Sequence, residues 1–301
     1  MQLSGTNMFI PFLVAGDPHP DVTIELALVL QAAGADVLEL GVPYSDPLAD
    51  GPIIQRASAR ALKQGMTLPR AIQLAGKMRK KGVKIPIIIF TYYNPVLQLG
   101  KESFFALAKE NGVDGVLIPD LPFEESEPIR RLGAETNIPL ISLVAPTSKE
   151  RIEKIASQAQ GFLYCVSSLG VTGVRDTLPE EIHEFLAEVK QYSRVPVVVG
   201  FGISKSEQVQ VLKAHCDGVV VGSALVQKVE ELSDRLLQQE QHALDEFRRY
   251  VEQLVAPLRD VDFYGGVKED EREKRAARAH SLSAGEVARG SEAAIRVDER
   301  H

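Results

Sequence analysis

Three carboxylates lie at the ends of apolar runs, where an enzyme could use them for proton transfer. Glu39 is inside the run "DVLELG", Asp50 is in the loop just beyond it, and Asp120 ends the run "GVLIPD". A buried carboxylate is costly unless it is paired, protonated or functional. Two carboxylates with different burial can have well-separated pKa values, which suits general acid–base catalysis.

Each of these residues also has a purely structural interpretation. Glu39 could face outward from a strand and pair with a lysine on a helix. Asp50 could cap the helix that begins near Gly51, and Asp120 could be a turn or cap residue. Tyr92 and Tyr164 lie near the ends of two further runs, and tyrosines in such places are more typical of a pocket wall than of a catalyst.

The elements that must position these residues are eight short apolar runs, which alternate with helical patterns as far as about residue 230. The runs are rich in Val and Ile without polar alternation, which is typical of parallel strands buried on both faces. The pattern predicts an α/β fold, a (β/α)8 TIM barrel with eight parallel strands. An open doubly wound sheet is the alternative, less favoured because no GxGxxG turn follows the first run. The runs span residues 9–15, 36–41, 85–92, 115–120, 138–146, 161–166, 195–202 and 217–222.

The C-terminal part of the chain divides into two segments of different composition. Residues 233–255 have the periodicity of one long amphipathic helix. Past Pro257 there are many charges and almost no large apolar residues, too few to offset chain entropy. We therefore expect a catalytic barrel domain over residues 1–257 and a charged tail over 258–301 that is disordered or partly helical.

Composition weighs against several classes of partner and location. The chain has 301 residues and a formal net charge of −7, and no basic block stands out before residue 260, which weighs against nucleic acid and anionic membranes. No apolar run approaches the ~20 residues of a membrane span, and no signal-peptide pattern opens the sequence. Cys165 and Cys216 lie in apolar runs without metal-ligand spacing, so we expect reduced core cysteines in a cytoplasmic protein.

Small residues follow the seventh and eighth runs, each time just before a helical pattern. They are Gly200, Gly202 and Ser204 in "VGFGIS", and Gly222 and Ser223 in "VGSALV". Small residues let backbone N–H groups approach an anion, and a helix N-terminus adds a favourable dipole. These two loops form a recurrent phosphate site in TIM barrels, although plain helix capping would use the same residues.

The loop over residues 167–181 is long for a connection between a strand and a helix. It contains Gly170 and Gly173, and long loops at this end of a barrel are often lids. A passive surface loop is the alternative.

Eight segments of this sequence, in order over residues 9–255, resemble the tryptophan synthase alpha chain family. The combination of "GVPYSDPLADGP", "SSLGVTG" and "GFGIS" is highly specific. The resemblance implies a lyase of tryptophan biosynthesis that cleaves indole-3-glycerol phosphate to indole and glyceraldehyde 3-phosphate by a retro-aldol reaction. It implies no metal and no cofactor in this chain, since pyridoxal phosphate belongs to the beta chain. The beta chain receives the indole, and an alpha2–beta2 heterotetramer is expected.

The resemblance also implies a role for individual residues. Glu39 protonates the indole ring at C3 and takes the proton of the glycerol hydroxyl, while Asp50 hydrogen-bonds the indole N–H. Loops 43–51 and 120–123 match the face turned toward the beta chain, with Pro43, Asp46 and Pro47 as contact residues. The substrate-binding residues are Phe90, Tyr92, Asp120, Leu143, Tyr164 and Thr172, the last on the lid, and the phosphate-binding residues are Gly173, Phe201, Gly202, Gly222 and Ser223.

Two other functions would have left different residues. Another phosphate-binding barrel enzyme would carry a catalytic Lys or Cys at a strand end, and neither is found. A catalytically silent subunit that only activates a beta chain would lack Glu39 or Asp50, and both are present.

Overall fold

Eight parallel strands form the central sheet of the protein. A computed structural model describes residues 5–166, 180–200 and 202–259. Most strand residues are buried, as expected where helices cover one face of the sheet and the barrel interior the other. The strands are β1 Met8–Val14, β2 Leu38–Gly41, β3 Ile87–Phe90, β4 Gly115–Leu117, β5 Ser142–Val144, β6 Leu163–Cys165, β7 Val197–Val199 and β8 Gly218–Val221.

The order of the strands is that of a barrel. It runs β4-β3-β2-β1-β8-β7-β6-β5, so that the first strand pairs with both the second and the eighth. One isolated parallel bridge, between Val116 and Leu140, joins the β4 edge to the segment that leads into β5. The predicted (β/α)8 barrel is confirmed, and the open doubly wound sheet is wrong.

Helices surround the barrel, and several of them begin or end at capping residues. Thr67 and Ser148 cap helices with their hydroxyls, and Gly82 ends one in the left-handed conformation. The helices of the described residues are α1 Pro20–Ala32, α2 Pro52–Lys63, α3 Leu68–Lys81, α4 Tyr93–Leu99, α5 Lys101–Glu110, α6 Glu127–Thr136, α7 Lys149–Ala156, α8 Glu180–Tyr192, α9 Ser206–Leu212, α10 Ser223–Leu237 and α11 Gln241–Val255.

Two helical features differ from the expectation. The single long helix over 233–255 is wrong, because the chain turns between α10 and α11, where Gln239 takes a left-handed φ of 58°. Both helices bury an apolar face, which one straight helix would not allow. The short helix α4 was not predicted, since "YYNPVLQL" contains a proline and is too short to show helical periodicity.

The interior of the barrel decides where Glu39 points. Alternate strand residues face inward and form an apolar layer, in which Val37 takes part. Glu39 lies two residues later, on the same face, at the level where larger residues close the mouth. The inner layer consists of Met8, Ile10, Val37, Ile88, Leu117, Ile141, Phe162, Val198 and Val220, with Phe90, Leu143 and Tyr164 packed against it.

The N-terminal ends of three strands are fixed by aspartates that lie just before a neighbouring strand. Asp36 accepts a hydrogen bond from the backbone of β1, Asp114 from β3 and Asp217 from β7, each at 2.8 Å. Their sequence context is similar, with a small or apolar residue before the aspartate and an apolar run after it. These bonds lie at the end opposite to the mouth and stabilise the scaffold that holds the site.

Three further expectations can be set beside the fold. Cys165 and Cys216 are buried free thiols, as predicted for core cysteines. Among the residues described, no helix has the length and apolarity needed to cross a membrane. The domain boundary at 257/258 stays a prediction, because residues 260–301 lie outside the described ranges.

Candidate active site

Glu39 is a buried carboxyl group without a hydrogen-bond partner for one of its oxygens. Its side chain points into the barrel mouth and the residue is 2% exposed. Within the described residues, Oε1 has no donor within reach. Burial, with a contribution from the charge of Asp50, raises the pKa of Glu39 to about 8. The structural interpretation of an outward residue paired with a lysine is therefore wrong.

Asp50 lies at the same mouth in a more polar place. It is partly exposed in the loop between β2 and α2. Burial raises its pKa to about 6, and a hydrogen bond from Tyr92 opposes that rise. Gly51, not Asp50, is the N-cap of α2, and no side chain caps this helix. The interpretation of Asp50 as a helix cap is therefore wrong.

The two carboxyl groups differ in protonation state near neutral pH. With a pKa of about 8, Glu39 keeps its proton, whereas Asp50, with a pKa of about 6, is mostly ionised. Such a pair offers a proton donor and a negative charge at one barrel mouth, an arrangement that suits acid–base catalysis.

Aromatic rings line the mouth around Glu39. Phe12 meets Phe90 edge to face with ring centroids 5.7 Å apart, and Phe90 meets Tyr92 in the same way at 6.4 Å. Tyr44 packs beside Tyr92 at 5.1 Å. Phe12 and Tyr44 were not among the predicted site residues. Phe12 could have been found from its position, two residues after Ile10 on the inward face of β1.

Tyr164 reaches the mouth from β6 and depends on a neighbouring glycine. A Cβ at Gly200 would lie 2.6 Å from Cε1 of the Tyr164 ring, so that only glycine leaves room for this side chain. Burial and the charge of Glu39 raise the pKa of the Tyr164 hydroxyl. The phenol therefore stays neutral beside the carboxyl group.

Asp120 caps the N-terminus of α4, although the two are far apart in sequence. It is exposed, and its Oδ1 accepts a hydrogen bond of 2.9 Å from the backbone N–H of Tyr93, at the start of α4. Asp120 and Leu143 line one cavity of about 290 Å³, which lies beside the junction of β4 and β5. The structure thus brings these two predicted substrate residues together, with Asp120 also serving as a cap.

The loops after β7 and β8 differ in how their backbone N–H groups are used. At the start of α9, Gln208 accepts hydrogen bonds from the N–H groups of Ser204 and Lys205. At the start of α10, no side chain caps the helix, and within the described residues the N–H groups of Ser223 and Ala224 have no acceptor. An anion would find open donors at α10, next to Gly222. Gln208 was missed by the sequence analysis.

Gly202 has a left-handed φ of 71°, which favours glycine at this position. It lies exposed in the loop after β7. Thr172, Gly173 and Phe201 lie outside the described residues, as does most of the loop 167–181.

The described part of the chain contains no candidate metal centre. Within it, no group of three or more His, Cys, Asp or Glu residues is arranged to hold an ion.

Comparison with known proteins identifies the family of this chain. The family model for the tryptophan synthase alpha chain matches residues 1–256. A tryptophan synthase alpha chain from Geobacillus sp. (strain WCH70) is 76% identical over 254 residues, which cover 84% of this chain and 97% of the relative. The crystal structure of tryptophan synthase subunit alpha from Legionella pneumophila has a TM-score of 0.75 at 34% identity, covering 84% of this chain and 93% of the other. A structure from Pyrococcus furiosus, described as the tryptophan synthase a2b2 complex, has a TM-score of 0.74 at 36% identity, covering 84% and 100%. The chain therefore belongs to the tryptophan synthase alpha chain family.

Proposed function

We propose that the chain is the alpha subunit of tryptophan synthase and cleaves indole-3-glycerol phosphate to indole and glyceraldehyde 3-phosphate. The observation that supports this most strongly is a neutral, buried glutamic acid beside a partly exposed aspartate at the mouth of a family barrel. The reaction breaks a C–C bond after one proton reaches a ring carbon, and that carbon is a poor base unless an acid is held against it.

Glu39 supplies and removes the protons. Its carboxylic acid gives a proton to C3 of the indole ring, which leaves the ring cationic and Glu39 ionised. The glycerol hydroxyl then loses its proton to a carboxylate, the bond between C3 and the side chain breaks, and the bonding electrons restore the aromatic ring. The products are indole and the aldehyde. The high pKa of Glu39, which follows from burial, keeps the proton available at neutral pH.

Asp50 stabilises the cationic ring. Its carboxylate accepts a hydrogen bond from the indole N–H. Its negative charge stabilises the ring most when the ring is protonated and carries a positive charge. The position of Asp50 on a loop outside the apolar mouth keeps its pKa below that of Glu39.

Two groups of residues hold the substrate. The phosphate binds at the open N–H groups of α10, next to the loop after β7, because a helix N-terminus and small residues suit an anion. The ring lies between the aromatic and apolar side chains of the mouth. We propose Phe90, Tyr92, Asp120, Leu143, Tyr164 and Thr172 for the substrate, and Gly173, Phe201, Gly202, Gly222 and Ser223 for the phosphate.

Glu39 accounts for both proton transfers, and Asp50 stabilises the cationic ring. We therefore propose that the chain uses no cofactor of its own, and that pyridoxal phosphate belongs to the beta chain, which receives the indole. We also propose that the chain is located in the cytoplasm, since its substrate and its two products are small metabolites.

The beta chain binds at the mouth, through loops 43–51 and 120–123. Leu48 is 91% exposed in the first loop, next to Asp46 and Pro47, where a partner could cover it. The Pyrococcus furiosus relative forms an a2b2 complex. We propose an alpha2–beta2 heterotetramer with loop 43–51 in the interface.

The test follows indole release from indole-3-glycerol phosphate, with the purified chain alone and with a tryptophan synthase beta chain. Glu39→Gln should lower kcat by about 10²–10⁴-fold, the usual size of an acid–base contribution. Asp50→Asn should also lower kcat. Glu25→Gln, at an exposed position on α1, is the matched control and should behave as wild type.

Three outcomes would change the proposal. Release that survives Glu39→Gln would mean that another group carries the proton. No release by wild type, with the beta reaction still activated, would indicate a silent subunit. No release and no activation would contradict the function as a whole.

A further inference from the structure

The loop that carries Asp50 is tied to the barrel at two points. The backbone N–H of Ala49 donates to the hydroxyl of Tyr92 at 2.9 Å, and the Asn94 amide donates to the hydroxyl of Tyr44 at 3.1 Å. Each of these hydrogen bonds joins the loop to a segment beyond the helix directly after it. Tyr92 lies between β3 and α4, and Asn94 is in the first turn of α4.

The ring of Tyr92 is held firmly enough to serve as an anchor. The residue is 2% exposed. Its ring centroid lies 5.1 Å from that of Tyr44, and 6.4 Å from that of Phe90, which it meets edge to face. Packing on both sides fixes the place of the hydroxyl oxygen, so that the loop is positioned by the core rather than by its own backbone.

The chemistry of the hydroxyl gives it two partners at once. A backbone N–H can only donate, so the Tyr92 oxygen accepts from Ala49 and its own proton remains to be donated. The carboxylate of Asp50 receives it, which opposes the rise in the pKa of Asp50 caused by burial. In addition to burial, the charge of Asp120 raises the pKa of the Tyr92 hydroxyl, and the charge of Asp50 raises the pKa of Glu39.

We propose that Tyr92 is a positioning residue for the reaction, whose hydroxyl holds the loop through Ala49 and so keeps the Asp50 side chain opposite Glu39. This goes beyond a role as pocket wall, for which the ring alone would suffice. The effect on turnover rests on the proposed function, whereas the effect on Asp50 itself does not.

The test variant is Tyr92→Phe in the full chain, which removes the hydroxyl and keeps the aromatic ring. The apparent pKa of Asp50 should rise by about one pH unit, the size expected from one lost hydrogen bond to a charged group. It can be followed by ¹³C NMR of carboxyl-labelled aspartate, with Asp50→Asn identifying the signal. Because Asp50 acts as a carboxylate, the acid limb of kcat should move to higher pH by the same amount, so that kcat falls about twofold at pH 7 and about tenfold at pH 5.

Two further variants serve as comparison. Tyr93→Phe removes the neighbouring hydroxyl, which makes no hydrogen bond among the described residues, and should leave both the Asp50 signal and the pH profile unchanged. Asn94→Ala removes the other tie of the loop while the Tyr92 hydroxyl stays, so it should lower kcat without moving the acid limb. Thermal unfolding of each variant reports whether the fold is intact.

Unchanged titration of Asp50 in a folded Tyr92→Phe chain would overturn the proposal, and so would an acid limb that moves equally in Tyr93→Phe. If wild type releases no indole, the proposed function fails. A shifted Asp50 titration in Tyr92→Phe would still support the positioning role.

Discussion

Replacing Glu39 with glutamine should change how the free energy of unfolding depends on pH. The ordinary pKa of a glutamate is 4.5, and burial raises that of Glu39 to about 8 in the folded chain. Between these two values the unfolded chain has released the proton while the folded chain still holds it. The free energy of unfolding therefore decreases as pH rises from about 4.5 to about 8. Outside that window, Glu39 no longer makes it depend on pH.

The magnitude follows from the two pKa values. One pH unit corresponds to about 1.4 kcal/mol, so wild type loses about 3 kcal/mol of stability by pH 7 and about 1 kcal/mol by pH 5 from this group alone. Glu39→Gln does not titrate, and a buried amide adds only an offset that is independent of pH. The stability of the variant relative to wild type should therefore increase by about 2.5 kcal/mol from pH 5 to pH 7.

Urea unfolding, followed by circular dichroism at pH 5, 6, 7 and 8, measures this difference. Glu25→Gln controls for the removal of one carboxylate at an exposed site. Asp50→Asn removes a charge that raises the pKa of Glu39, so its own curve should show a weaker dependence on pH than wild type. A difference between Glu39→Gln and wild type that stays constant from pH 5 to pH 8 would refute the assignment of a raised pKa to Glu39.

Three further predictions concern contacts around the site and in the scaffold. Arg60→Ala should destabilise the chain by about 3 kcal/mol in urea, because it leaves the buried carboxylate of Asp17 without its bidentate partner at 2.7 and 3.0 Å. Gly200→Ala should lower the kcat of indole release about tenfold or more with little change in the far-ultraviolet circular dichroism, since the added methyl group displaces the Tyr164 ring. Gln239→Gly should raise the free energy of unfolding by about 0.5–1 kcal/mol, because its left-handed φ of 58° costs any residue with a side chain.

Each of these predictions can be contradicted. Arg56→Ala removes an exposed partner of Glu230 and should cost under about 1 kcal/mol, so an equal loss in both arginine variants would mean that burial of Asp17 is not the cause. Wild-type turnover in Gly200→Ala would mean that Tyr164 does not need its present place. A less stable Gln239→Gly would show that the glutamine side chain matters more than its φ.

Much of the fold was predictable because it depends on patterns of short range. Buried parallel strands need continuous apolar runs, and amphipathic helices need a period of 3.6 residues, so both elements are written in consecutive residues. Glu39 and Asp50 stood out for the same reason, as polar residues at the end of an apolar run. The small residues after β7 and β8 indicated an anion site before any geometry was known.

Other features depend on contacts between distant segments and so required the structure. That Glu39 points inward, with its Oε1 unpaired among the described residues, depends on all the strands around it, since only the closed barrel excludes water. The break before α11 and the existence of α4 depend on what these helices pack against, because local propensity is weaker than tertiary packing.

The sequence by itself determined the strand and helix order, the two carboxyl groups and the family resemblance, because these are properties of consecutive residues. Only the tertiary structure decided their chemistry. The pKa values of Glu39 and Asp50 differ because the fold buries one more than the other, and the hydroxyl of Tyr92 meets Asp50 because β3 lies beside β2. Desolvation and hydrogen bonding act between groups that are neighbours in space, and the barrel alone makes these groups neighbours.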